Sequence, residues 1–214
     1  MMKNKYLNLG KIAETKAERF EKMRYLGYLD KFVHRGQKIL DMGCGDGVVC
    51  EYLQNKNMEA LGIDSNLDLI GTAKKNGCKV IAGDAVKFLS TRSGKYFDIY
   101  LMLDFIEHLE IGQVETIFNL IPKHSTVIIK TPNTDCLMGT IAYLSMPSHK
   151  QPVPKQVLRN LLEQNGYEIK KIFSVDYLLS PLFSPRLLYP ILLIKLFPAV
   201  FDGGNYVCVA FRTH

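Results

Sequence analysis

Residues 39–53 read ILDMGCGDGVVCEYL: an apolar run, an acid, three glycines at alternate positions, then the start of a helical pattern. Glycine weakens regular structure and is useful where a chain turns sharply or lets a ligand approach its backbone. Gly43, Gly45 and Gly47, directly after a buried strand, therefore predict a ligand held by main chain at that strand's end. The spacing G-x-G-x-G, with Val48 next, departs from the G-x-G-x-x-G of a dinucleotide fold, which sets a pyrophosphate on a helix N-terminus.

Outward from this turn, short apolar runs alternate with helical patterns. KILDM (38–42), EALGID (59–64), KVIAGD (79–84), FDIYLML (97–103) and STVIIKTPN (125–133) read as strands. Helices are predicted over VVCEYLQN (48–55), NLDLIGTAKKNG, AVKFL and IEHLEIGQVETIFNLI, and an amphipathic helix over PKQVLRNLLEQNG (154–166). YEIKKIFSV and YVCVAFR read as two further strands. Strands alternating with helices give a parallel sheet covered on both faces, and the unbroken apolar runs fit strands buried on both sides. The expected fold is thus α/β, a doubly wound seven-stranded sheet in a single domain, 1–214. It carries an N-terminal helical segment (1–36) and an apolar cap insertion between the last two strands (177–203).

Composition agrees with one ordinary globular domain: 47% hydrophobic and 22% charged residues, enough for a core and too apolar for disorder. Five scattered cysteines without a CxxC pair argue against a disulfide framework or zinc cluster and for a reducing, cytoplasmic setting. The start of the chain lacks an apolar signal region, so no secretory leader is expected. Of the net charge of +6, all the excess sits in residues 1–38, with ten Lys/Arg against four Asp/Glu. That segment reads as the solvated face of a helix, or as a patch drawn peripherally to an anionic membrane surface. Nucleic acid is not an expected partner, because no basic run is interleaved with stacking aromatics.

Asp64 ends the second strand, where its carboxylate can accept from both hydroxyls of a ribose. After the third strand, Gly83-Asp84-Ala85 offers an acid for an adenine amino group. D-M-G-C-G-D-G, G-I-D, A-G-D-A and F-D-I-Y-L-M-L-D-F-I-E-H-L together resemble the class I S-adenosylmethionine-dependent methyltransferases, which have a Rossmann-like sheet. The resemblance is close over 36–133, moderate over 149–175 and poor over 177–203. It implies S-adenosyl-L-methionine as cofactor, with Asp41, Gly43 and Gly45 at its methionine end and Gly47 opening the next helix. Asp64 would hold the ribose with Ser65 beside it, Asp84 and Ala85 would flank adenine, and Leu103 would offer backbone near the sulfonium. The structural alternatives are that Asp41 is a turn residue and Asp84 a helix N-cap.

Methyl transfer from a sulfonium is an in-line displacement, and a hydroxyl acceptor must also lose its proton to a base. Asp104, Glu107 and His108 stand at i, i+3 and i+4, so on a helix they would share a face. His108 is the base candidate and Glu107 its orienting or substrate-holding partner; the alternative is support for the cofactor loop. L-D-F-I-E-H-L resembles the O-methyltransferases of ubiquinone biosynthesis and relatives acting on glycans or polyketides. Some relatives place a divalent ion on an acid-x-x-Glu-His face, but Asp104 shortens that reach, so no metal is assigned. His149, in SMPSHKQPVPKQV, is a candidate substrate contact from the cap side, or a solvated histidine without a role. Cys44 has no partner histidine nearby in sequence and reads as filler.

The expected activity is methylation of oxygen on a small, lipophilic or glycolipid acceptor. A non-catalytic adenosylmethionine-binding scaffold is the competing class, with a nicotinamide-dependent dehydrogenase disfavoured by the glycine spacing. The cap, rich in Leu, Ile and Phe but interrupted by prolines, is expected to wall the acceptor pocket as a lid, with contact to lipid or to another subunit as the alternatives, and not to cross a bilayer.

Overall fold

A computed structural model describes residues 19, 22–23, 25–91, 96–175 and 203–213. The cap therefore lies outside the described residues except for Gly203, as does most of the N-terminal segment up to residue 24. The chain runs β1 (Lys38–Met42), α1 (Val48–Gln54), β2 (Glu59–Asp64), α2 (Leu67–Lys75), β3 (Val80–Ala82), α3 (Ala85–Ser90) and β4 (Ile99–Leu103). It continues through α4 (Ile111–Leu120), β5 (Thr126–Pro132), α5 (Leu137–Leu144), α6 (Lys155–Gln164), β6 (Tyr167–Val175) and β7 (Asn205–Arg212).

The seven strands lie in the order β3-β2-β1-β4-β5-β7-β6. β1 to β5 pair in parallel, whereas β7 runs antiparallel to both β5 and β6, so the sheet is mixed rather than wholly parallel. A side-chain period of two sorts each strand between two cores. Leu40, Met42, Tyr100, Met102, Val127 and Ile129 face Ile117, Phe118, Leu158 and Leu162 on one side. Ile39, Ile99, Leu101, Ile128 and Val207 meet Leu53, Leu29 and Val33 on the other. All five residues of β4 are buried, as an apolar strand covered on both faces requires.

Two local readings change. The helix expected through IEHLEIGQVETIFNLI is broken into a 3-10 turn, Ile106–His108, and α4, which Glu110 and Gln113 open with a reciprocal capping box. And α5, unmarked by a charged face in the sequence, is a separate helix. Gly139 lets it lie on the end of β5, since a Cβ there would stand 2.1 Å from the Asn133 carbonyl oxygen.

Candidate functional site

Strand order reverses between β1 and β4, and a cleft of about 410 Å³ opens at the carboxyl ends of these parallel strands. Its walls include Gly43, Gly45, Asp64, Ser65, Asp84, Ala85, Phe105 and His108. That volume falls in the range of roughly 300–1,000 Å³ usual for small-molecule sites.

Gly43 (φ 76°) and Gly45 (φ 54°) adopt left-handed backbone that side chains disfavour. A Cβ on Gly43 would stand 2.4 Å from Cδ2 of Phe105, so the turn and the loop after β4 close on each other only over glycine. The turn is tied to β2: the Gly43 and Cys44 amides donate to the Ile63 carbonyl at 2.8 and 3.1 Å. The Gly45 amide donates to Asp64 Oδ2 at 2.9 Å, and the Asn66 amide to Oδ1 at 2.7 Å. Both oxygens of Asp64 are thereby fixed at the cleft wall, each with a lone pair remaining for a further donor. Open space above Gly45 and a fixed carboxylate at the end of β2 fit an adenosine-containing ligand whose amino-acid end meets main chain.

Other predicted residues fall differently. Asp84 is the N-cap of α3, its Oδ1 accepting from the Lys87 amide at 2.9 Å, and it also lines the cleft. Asp41 is corrected. It is 2% exposed, does not line the cleft, and accepts from the Cys50 thiol at 3.7 Å; burial pushes its carboxyl up to about 7. Leu103 ends β4 with its side chain in the core.

The face expected from Asp104, Glu107 and His108 does not exist. Asp104 is not helical (φ 53°); it lines the cleft beside His108 and pairs with Lys130 at 3.0 Å, while Glu107 turns inward. At 1% exposure Glu107 accepts from Thr131 Oγ1 at 3.0 Å through Oε2, and its Oε1 has no hydrogen-bond partner. Burial pushes this carboxyl up to about 7. What joins Glu107 and His108 instead is His149. The two imidazoles lie 4.8 Å apart, and one donor atom from each of the three residues falls within 4.8 Å of the others. Nδ1 of His108 is 3.2 Å from the Ser148 carbonyl and Nδ1 of His149 is 2.8 Å from that of Tyr143. A carbonyl only accepts, so in the neutral rings Nδ1 carries the hydrogen and Nε2 is left as the base or ligand atom. His108 reaches the cleft wall; His149 stands behind it. Two pinned imidazoles and a buried, half-satisfied carboxylate also fit the donor set of a divalent cation.

Sequence reasoning missed Phe105 and Thr131. The second had a signal, a hydroxyl inside the apolar run STVIIKTPN, but the Ser148 and Tyr143 carbonyls carry none, since every residue has one.

Residues 24–145 match the family model described as "Methionine biosynthesis protein MetW". Curated relatives include a ubiquinone biosynthesis O-methyltransferase of Methylococcus capsulatus, 33% identical over 79 residues (35% of this chain, 33% of that protein). Another, of Burkholderia vietnamiensis, is 26% identical over 141 residues (61% of this chain, 60% of that protein). The matches thus span between a third and three-fifths of these relatives' length. Among solved structures, a SAM dependent methyltransferase from Archaeoglobus fulgidus is 26% identical, with TM-score 0.73 over 90% of this chain and 93% of that one. The magnesium protoporphyrin IX methyltransferase of Synechocystis, solved with SAH bound, shares the fold at 15% identity and TM-score 0.58, over 92% and 83%. With more than half of its residues matched, the chain belongs to the MetW family, and its fold is that of the class I S-adenosylmethionine-dependent methyltransferases.

Proposed function

We propose that the protein binds S-adenosylmethionine in this cleft and methylates oxygen on a small, apolar acceptor. The observation that carries the reading is His108 at the cleft wall, its Nδ1 pinned so that Nε2 is the proton-accepting atom. Relatives named as ubiquinone biosynthesis O-methyltransferases support it, as do the apolar walls Ile63, Leu69, Val86, Phe105 and Leu109. The main chain at Gly43 and Gly45 would receive the amino-acid end, Asp64 the ribose, and Asp84 with Ala85 the adenine. When bound, the cofactor supplies an electrophilic methyl group. His108 Nε2 takes the proton of an acceptor hydroxyl, and an ionised Glu107 nearby balances the charge that the imidazole gains. A second reading follows from the grouping of Glu107, His108 and His149: together they would hold a divalent cation that acidifies the same hydroxyl.

Calorimetry with S-adenosylhomocysteine, followed by mass spectrometry of catechols and polyprenyl phenols incubated with S-adenosylmethionine, tests the reading. Runs with magnesium and with a chelator separate its two forms. Binding is expected, with one methyl gained on a hydroxyl. Binding without transfer to any acceptor would favour a scaffold role.

A further inference from the structure

Arg19 belongs to the basic N-terminal segment, yet it is 9% exposed and lies against the glycine turn. Its Nη1 donates to Asp46 Oδ2 and its Nη2 to the Asp46 carbonyl, both at 3.1 Å, while Nε pairs with Glu51 of α1. One planar group thus grips Asp46 by side chain and backbone and ties it to the helix that the turn opens. Asp46 stands between Gly45 (φ 54°) and Gly47 (φ 82°), two residues with little conformational preference of their own. The bonds to β2 hold Gly43, Cys44 and Gly45, and the guanidinium fork holds the next residue, Asp46, with two donors while its third reaches Glu51. Charge points the same way. Asp46, Glu51 and Asp64 surround the turn, and without a cation they would repel a ligand carboxylate brought up to it.

We propose that Arg19 is a positioning residue for the cofactor turn: it holds Asp46 in the ligand-receiving conformation and cancels negative charge facing an amino-acid carboxylate. The proposal rests on the adenosylmethionine reading and predicts an effect confined to one end of the ligand. S-adenosylhomocysteine has an amino-acid end; methylthioadenosine shares the adenosine and thioether and lacks it.

Calorimetry of both ligands on the full chain tests this, with wild type, Arg19→Ala and Arg19→Lys. Lysine keeps the charge and stem but loses the fork, so it remains informative if alanine fails to fold. Both variants should weaken S-adenosylhomocysteine, by about 10- to 100-fold for alanine and less for lysine, and change methylthioadenosine by less than about 3-fold. Equal losses for both ligands, or no loss, overturn the positioning role while wild-type binding keeps the adenosylmethionine reading intact. Wild type binding neither ligand removes that reading and the proposal with it.

Discussion

Glu107 is a carboxyl group in a place water does not reach, held by one threonine hydroxyl and facing two imidazoles. Its folded pKa of about 7 stands above the ordinary 4.5, so between those values the folded state keeps a proton that the unfolded chain has lost. The associated stability is complete below about pH 4.5 and is lost as pH rises through 7, on the order of 3 kcal/mol. Asp41 acts in the same direction. Glu107→Gln should flatten this fall, seen as a smaller drop in the urea midpoint between about pH 5 and pH 8 than wild type shows. A variant curve parallel to wild type would mean that Glu107 does not titrate there. At the neighbouring position, His108→Ala should lower kcat by about 10²–10⁴-fold and leave S-adenosylhomocysteine affinity within a few-fold. Undiminished turnover in that variant, on a confirmed acceptor, would return His108 to a supporting role.

At the scale of elements, α5 decides where His149 stands, because the Tyr143 carbonyl near its end holds the ring. The helix reaches that place only because Gly139 clears the Asn133 backbone. Gly139→Ala should therefore destabilise by about 1–3 kcal/mol, the usual effect of overpacking, and reduce activity through His149. Gly112 in α4 is the control: nothing lies within 4 Å of a Cβ there, and its φ is not left-handed. Gly112→Ala should instead stabilise by about 0.4–1 kcal/mol by restricting the unfolded chain. Chemical denaturation of the pair checks both signs; a neutral or stabilising Gly139→Ala would show that α5 does not depend on this close approach.

For the whole molecule, ligand binding and folding are one equilibrium. In the proposed mode, a nucleoside bound at the ends of β1 and β2 would join the strands on either side of the turn. S-adenosylhomocysteine at 100 times its Kd should add about 2.7 kcal/mol, a rise in Tm of roughly 5–10 °C for a chain of this size. Asp64→Ala should remove about half to five-sixths of that rise at the same ligand concentration, if losing the proposed charged acceptor for the ribose weakens binding by about 10- to 100-fold. A full thermal shift in Asp64→Ala would show that the carboxylate serves only the Gly45 and Asn66 amides.

Short-range chemistry was legible in the chain itself. The alternation of strand and helix, the glycine turn after β1, Asp64 at the end of β2 and the dual position of Asp84 follow from local patterns and strand ends. Such features depend on residues a few positions apart, and the backbone period carries them. Side-chain direction beyond the strand ends was not legible. Asp104 was set on one helical face with Glu107 and His108; instead, at φ 53°, it lines the cleft with His108 and pairs with Lys130, 26 residues on, while Glu107 is buried behind them. His149 meets His108 across 41 residues because α5 and the loop after it return the chain to the end of β4. Asp41 points into the layer beneath the turn rather than into the cleft, a choice made by which face of β1 covers Cys50. Arg19 was legible only as part of a basic segment, since what it pairs with lies 27 and 32 residues away. The sequence determined the strands, most of the helices and where the cofactor turn falls, though not α5 or the break before α4. Only packing decided which ionisable groups face one another, because that depends on how elements distant in the chain are laid side by side.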